Sequence, residues 1–320
     1  MATVLVVGTL AVDYIGRYES SFENLSKSEA LNLSLSLSDL KQSFGGCAMN
    51  IAVGLQKLGH RALPFALVGR ELNAEYEKHL KQLGMCQDGL ISIHDYQFSS
   101  TCFIVTDKDG NQFTTFYPGP SRSERYSELL TGLVSDNSAE IDCAIIAPDV
   151  GANMLTAISL CQEYDIPFLT DPGQCLNDFS LVETQELAAQ SSVLVLNQHE
   201  FALLNERVND TDSLPLVFRT LGNEGVALRR SGQEVVISAV KPERQIDPTG
   251  CGDAFRVGLI HGRIQGHTWR QACEIATTLA SIAIESHGTQ NYSVAGLPQR
   301  LKYHWDLEIQ NNPLNKKALY

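Results

Sequence analysis

The sequence predicts an α/β fold: a doubly wound, mostly parallel sheet sandwiched by helices, with a small β-sheet attached as a lid. Three observations predict it. Short apolar β-branched runs alternate with helical stretches, two segments of strict period two interrupt that alternation, and a glycine turn opens an apolar helix late in the chain.

The strand candidates are TVLVVG at 3–8, PFALVG at 64–69, CAIIAP at 143–148, IPFLTDPG at 166–173, SSVLVLN at 191–197 and GVALRR at 225–230. AMNIAVGLQKLG, AEYEKHLKQLG and ANMLTAISLCQEY lie between them with apolar residues at helical spacing. Strands that are apolar on both faces and separated by helices belong in a parallel sheet covered on both sides. The exceptions are ALNLSLSLSD at 30–39, which alternates leucine with a polar residue, and SSTCFIVTDKDGNQFTTFYPG at 99–119, two strands about a turn at Asp109-Gly110. One wet face and one dry face imply a small antiparallel sheet. It is expected over about 14–43 and 92–118, either as an edge extension or as a lid that closes over a site at the strand ends. No repeat or Pro-rich linker marks a further domain, so residues 1–320 read as one unit, less regular after about 292.

With 320 residues, 43% of them apolar, the chain can bury a sizeable core. Its 24 basic residues against 37 acidic ones give a formal charge of −13, which excludes a nucleic-acid binder built on clustered Lys and Arg. Eight cysteines without a CxxC pair read as reduced core thiols. MATVLVVGTLAVDY enters a strand directly, and no apolar run approaches the roughly 18 residues a membrane span needs. The expectation is a cytoplasmic protein with no membrane partner, as a monomer or homodimer.

The chemistry is concentrated in DPTGCGDAFRVG, residues 247–258. Amides in a glycine turn at a helix N-terminus converge without side-chain obstruction, and the helix dipole adds about half a positive charge there. Gly250, Cys251 and Gly252 thus form a candidate anion hole. Asp253, in the first turn, should be kept ionised by the same dipole and could take a proton from an attacking hydroxyl. Taken alone, Asp253 is equally well a helix N-terminal charge with a stabilising role. There is no GxGxxG and no GxxxxGK[ST], which sets aside dinucleotide and P-loop schemes.

DPTGCGDAFRVG resembles the C-terminal signature of the PfkB/ribokinase family of carbohydrate and nucleoside kinases. Four further motifs follow that family's order: VVGTLAVDY with Asp13, FGGCAMNIAVGLQKLG with Gly45, Gly46 and Asn50, LNQHE with Asn197 and Glu200, and TLGNEG with Thr220, Gly222 and Gly225. The resemblance implies a ribokinase-like fold and a role for each residue. Asp253 would deprotonate the acceptor hydroxyl while the amides of Gly250, Cys251 and Gly252 hold the transferring phosphoryl group. Asp13, Gly45, Gly46 and Asn50 would bind the acceptor, and Asn197, Thr220, Gly222 and Gly225 the nucleotide. Glu200 would organise Mg²⁺ through waters. ATP and Mg²⁺ are the implied cofactors, with K⁺ a further candidate near Asp247 and residues 286–289.

DPTGCGDAF, FGGCAMN, FYPGPS at 116–121 and TDPGQ at 170–174 are together similar to bacterial adenosine/nucleoside kinases of the family. They imply phosphorylation of a nucleoside 5′-hydroxyl, adenosine first, within purine salvage. Half at most of Phe103, Phe113, Phe116 and Tyr117 can face a base. A sugar kinase of ribokinase or fructokinase type is the alternative. A silent relative used for binding, or a nicotinamide dehydrogenase, is disfavoured by the intact motifs and the missing glycine fingerprint respectively.

Overall fold

A computed structural model describes residues 1–25, 34–70, 72, 74–208, 214 and 216–308. The large sheet has nine strands. In chain order they are β1 (Thr3–Val7), β4 (Arg61–Val68), β5 (Leu90–Ser92), β8 (Cys143–Ile146), β9 (Phe168–Thr170), β10 (Leu194–Asn197), β11 (Val217–Thr220), β12 (Val226–Arg230) and β13 (Gln233–Ile237). Their spatial order is β13-β12-β11-β10-β9-β8-β1-β4-β5. Pairing is parallel from β5 through to β11 and antiparallel only for β12 and β13 at one edge.

Side chains alternate along β1 to opposite cores, Val4 and Val6 to one and Leu5 and Val7 to the other. That is why the run is continuously apolar. One face is covered by α1 (Cys47–Lys57), α2 (Ala74–Gln82), α7 (Cys251–Ile264), α8 (Trp269–Ala283) and α9 (Leu297–Trp305). The other is covered by α3 (Tyr126–Asn137), α4 (Gly151–Glu163), α5 (Leu181–Gln190) and α6 (Gln198–Arg207). Helix α9, with Pro298 in its first turn, gives order to a stretch the periodicity left irregular.

The small sheet comprises β2 (Ala11–Arg17), β3 (Asp39–Gly45), β6 (Ser100–Thr106) and β7 (Gln112–Tyr117), in the order β3-β2-β6-β7. It differs from expectation in two ways. Strand β2 runs parallel to β6, so the sheet is mixed. The alternation at 30–39 does not mark its strand: 30–33 lie outside the described residues, 34–37 carry no regular structure, and β3 begins at Asp39. What β3 supplies is backbone for β2 to pair with, and its exposed outer residues leave little apolar pattern to read. In the large sheet the chain leaves β1 for β4 on one side and returns to β8 on the other. The crevice beyond the carboxyl ends of these strands is where doubly wound folds bind ligands.

Candidate active site

Four chain segments meet at the N-terminus of α7. Gly250 caps the helix at φ 79°, a left-handed conformation that costs a residue with Cβ about 1–2 kcal/mol. A Cβ there would also stand 2.8 Å from the Thr289 Cβ. The turn before it is fixed by Asp247, whose carboxylate accepts from the amides of Thr249 (2.9 Å) and Gly288 (3.0 Å). Burial opposes the charge on Asp247, but those hydrogen bonds prevail and hold its pKa below the usual carboxylate value.

Asp253, in the first turn of α7, accepts a 2.8 Å hydrogen bond from the Asn50 amide. The Asn50 Oδ1 in turn accepts from Thr289 (2.7 Å) and Gln290 (3.0 Å), so the orientation of the Asn50 amide is determined by its partners. Asn50 is a buried residue of α1, which starts at Gly46 and follows β3 directly. Gly45, the last residue of β3, lies against Asp13: a Cβ on Gly45 would collide with that carboxylate. Asp13 is on β2, in the small sheet.

Burial raises the Asp253 pKa to about 6, opposed by Arg256 and the Asn50 hydrogen bond and reinforced by Asp171; a hydrogen bond from the Cys47 thiol also favours the charged form. Burial, then the charge of Asp253, raises Asp13 to about 6 as well. Desolvation thus outweighs the helix terminus in setting the Asp253 pKa. Near neutral pH the carboxylate remains mostly charged, as a general base requires.

Register places Asn197 and Thr220 side by side at the carboxyl ends of β10 and β11. Gly222 and Gly225 form the turn between β11 and β12, where a Cβ on Gly225 would collide with the Ile237 carbonyl. Asn197 and Glu200 make a reciprocal cap on α6. Glu200 Oε2 accepts from the Asn197 amide and Oε1 from its side chain, both at 2.7 Å, while the Glu200 amide donates to Asn197 Oδ1 at 2.8 Å. Burial and then Asp171 push the Glu200 pKa up. This donor set suits Mg²⁺, which keeps several waters and needs one or two fixed carboxylates beside substrate phosphates. Among the described residues no group of three or more His, Cys, Asp or Glu could hold a metal unaided.

The small sheet offers Asp13 with Ser43, Cys102 and Phe116 in one row of register partners. Phe103, Phe113 and Tyr117 fall on the opposite face, where Phe103 stacks on Tyr14 at 5.4 Å. Of the four aromatics only Phe116 shares the face of Asp13.

Residues 1–295 match the profile of the pfkB family carbohydrate kinases. The chain belongs to that family. It is similar to the nucleoside kinase of Methanocaldococcus jannaschii, 28% identical over 297 residues, which cover 91% of this chain and 93% of that protein. Its fold superposes on Burkholderia thailandensis nucleoside kinase in complex with inosine at a TM-score of 0.84, with 28% identity and coverage of 97% and 100%. The same protein in complex with ADP-inosine gives 0.80 at 28% identity, covering 98% of this chain and 99% of that one. Thermotoga maritima ribokinase, at 19% identity, TM-score 0.75 and coverage of 94% and 100%, shares the fold. As a pfkB-family member the protein is a phosphotransferase on a ribokinase-like fold.

Within that frame several contact residues escaped the motifs. Thr289 and Gln290 orient Asn50, and Cys47 donates to Asp253. Arg256 pairs with buried Asp171, its Nη2 donating to Asp171 Oδ1 at 2.8 Å and its Nε facing Oδ2. The signal for Arg256 was a cation flanked by apolar residues in the first turns of α7, a signal it shares with Arg263 near the other end. The cysteines also divide: all eight are free, but Cys47, Cys86, Cys175 and Cys251 are only partly buried.

Proposed function

We propose that the protein transfers the terminal phosphoryl group of ATP to the 5′-hydroxyl of a nucleoside, with adenosine as the first acceptor to test. The observation that carries this reading is the convergence at α7. Asp253 stands in the first turn of a glycine-capped helix, is held by Asn50, and lies close enough to Asp13 for its charge to raise the Asp13 pKa.

In this reading Asp13 accepts hydrogen bonds from the ring hydroxyls of the acceptor, beside Gly45 and Gly46, and thereby sets the 5′-hydroxyl against Asp253. The carboxylate takes the hydroxyl proton as the new O–P bond forms. The bond from the terminal phosphorus to the β,γ-bridging oxygen breaks, and ADP leaves with that electron pair. The amides of Gly250 and Gly252 donate to the phosphoryl oxygens where charge develops, and that of Cys251, which donates to the Pro248 carbonyl at 3.2 Å, would exchange that bond to join them. Thr220, Gly222, Gly225 and Asn197 line the nucleotide, and Mg²⁺ at Glu200 would neutralise phosphate charge. Because Asp13 belongs to the small sheet, movement of that sheet carries an acceptor ligand with it, which is why we read β2, β3, β6 and β7, the strands at and around the expected 14–43 and 92–118, as a lid.

The nucleoside is favoured over a sugar by kinship: the relatives that match most of the chain at 28% identity are named nucleoside kinases, and one of them binds inosine. Phe116 on the face of Asp13 offers a surface for a base. Eight free thiols fit a reducing, cytoplasmic setting. The deciding experiment is an ATP assay over adenosine, inosine, guanosine, cytidine, ribose and fructose, with and without K⁺. A nucleoside should give the highest kcat/KM. Ribose or fructose turned over far better than every nucleoside would replace this reading with a sugar kinase of ribokinase or fructokinase type.

A further inference from the structure

Arg256 is placed where a structural ion pair would not need to be. It lies four residues after Gly252, on the same side of α7, and long helical side chains lean toward the N-terminus. Its guanidinium therefore reaches back along the first turn. A Cβ on Gly252 would come 2.8 Å from Arg256 Nη1, so the glycine leaves room for that nitrogen. Nη2 donates to Asp171, which is fully buried at the carboxyl end of β9, and Nε faces the other carboxylate oxygen as an ion pair. Among the described residues Nη1 has no hydrogen-bond partner. The fork is thus fixed on one side and open on the side of the helix terminus.

Charge points the same way. Asp171, Asp253 and Glu200 all act on this end of the sheet, and Arg256 is the cation that opposes them. The Asp171 charge raises the pKa of Arg256 against the effect of burial, so it stays protonated. An incoming triphosphate adds more negative charge beside the same helix end. Backbone amides supply only partial charges to meet it, whereas a fixed guanidinium supplies a whole one.

We propose that Arg256, clamped by Asp171, binds the terminal phosphoryl group of ATP through Nη1 and stabilises it during transfer. This rests on the kinase reading above, with Asp253 taking the proton and ADP leaving. Asp171 is the positioning residue, and Gly252 is the opening through which the guanidinium reaches the group.

The test compares wild-type protein with Arg256→Lys, Arg256→Met and the double variant Asp171→Asn/Arg256→Met, which removes both partners so that no buried charge is left alone. Folding of each is checked by circular dichroism. Calorimetry then measures affinity for ADP and for the imido analogue of ATP, both with Mg²⁺. Loss of a contact to the terminal phosphoryl group predicts roughly tenfold or more weaker analogue binding in both Met variants, with ADP nearly unchanged. In the kinase assay kcat should fall about 10²- to 10³-fold while the acceptor KM holds. Lysine should recover part of both losses. Equal weakening of ADP and analogue, or an unchanged kcat in a folded Met variant, would make the pair purely structural and overturn the proposal. If wild-type protein phosphorylates only a sugar, the acceptor assignment falls, while the two-nucleotide comparison still decides the role of Arg256.

Discussion

At its N-terminal end α7 packs Asp253 and Arg256 against Asp171 and Asn50; near its C-terminal end it packs His261 against His60, Nε2 of His60 lying 2.8 Å from Nδ1 of His261. Both ends bury titratable groups, and burial displaces them at both. Asp253 and Asp13 rise to about 6, while His60 falls to about 4 and His261 to about 3, in His60 with help from the N-terminal amine. The ends differ in what the displacement leaves behind. The carboxylates stay mostly charged near neutrality and partly open to solvent at the carboxyl edge of the sheet, Asp253 with Asn50 as its partner. The histidines are neutral and closed in, and among the described residues His60 Nδ1 and His261 Nε2 have no hydrogen-bond partner. A perturbed titration is therefore a poor marker of a site by itself. The edge of the sheet and the glycine cap distinguish the two.

The comparison breaks most visibly at Asp253. Asp253→Asn should lower kcat by about 10²- to 10⁴-fold, measured at saturating ATP and acceptor. The same variant should be more stable at pH 8. The folded pKa is raised above its unfolded value of 3.8, so the folded state binds more protons, and its stability falls as pH climbs from 3.8 to about 6. Removing the ionising group removes that cost, about 2–3 kcal/mol, in urea unfolding at pH 8, and the gain should vanish near pH 4. A slower enzyme that is also more stable is the expected mark of a functional carboxylate. Loss of both activity and stability would show that Asp253 serves the fold.

Asn50→Ala comes next. It removes one acceptor each from Thr289, which keeps the Phe44 carbonyl, and Gln290, which keeps the Tyr76 hydroxyl, so the cost in stability should be about 0.5–1.5 kcal/mol. It also removes a donor that holds the Asp253 pKa down, so the acidic limb of kcat against pH should move upward from about 6. An unmoved limb with lost stability would confine Asn50 to packing.

Much of this was readable beforehand, for definite reasons. The parallel strands announced themselves because burial on both faces forces an unbroken apolar run, as in Val4 to Val7. The glycine cap at Gly250 with Asp253 in the first turn was readable as local structure because a glycine turn running into an apolar pattern marks a helix start, whereas a role for Asp253 came only with the other motifs in order. Strand β3 was misplaced because its side chains are mostly exposed and no period shows. The supports of the site were unreadable for another reason. Thr289 and Gln290 reach Asn50 across 239 and 240 positions of sequence, and Asp171 reaches Arg256 across 85. No local pattern encodes such contacts; only the winding of the sheet brings them together.

The smallest effect on rate is expected at the other end of α7, and it bears most directly on the contrast. His261→Gln keeps an amide opposite His60 while removing an imidazole whose folded pKa, about 3, lies below the 6.5 of the unfolded chain. A depressed folded value means the unfolded state takes up protons first, so the His261 contribution is whole above pH 6.5 and is lost as pH falls toward 3. The wild-type unfolding free energy should drop over that interval, and that of the variant should drop less, by about 3 kcal/mol at pH 4 in urea unfolding. Turnover at pH 7.5 should stay within about twofold of wild type, since surface-to-core support far from a site leaves transition-state contacts intact. If instead kcat fell as it does for Asn50→Ala, the two ends of the helix would be coupled through its length, and the separation between a charged working end and a neutral supporting end would not hold.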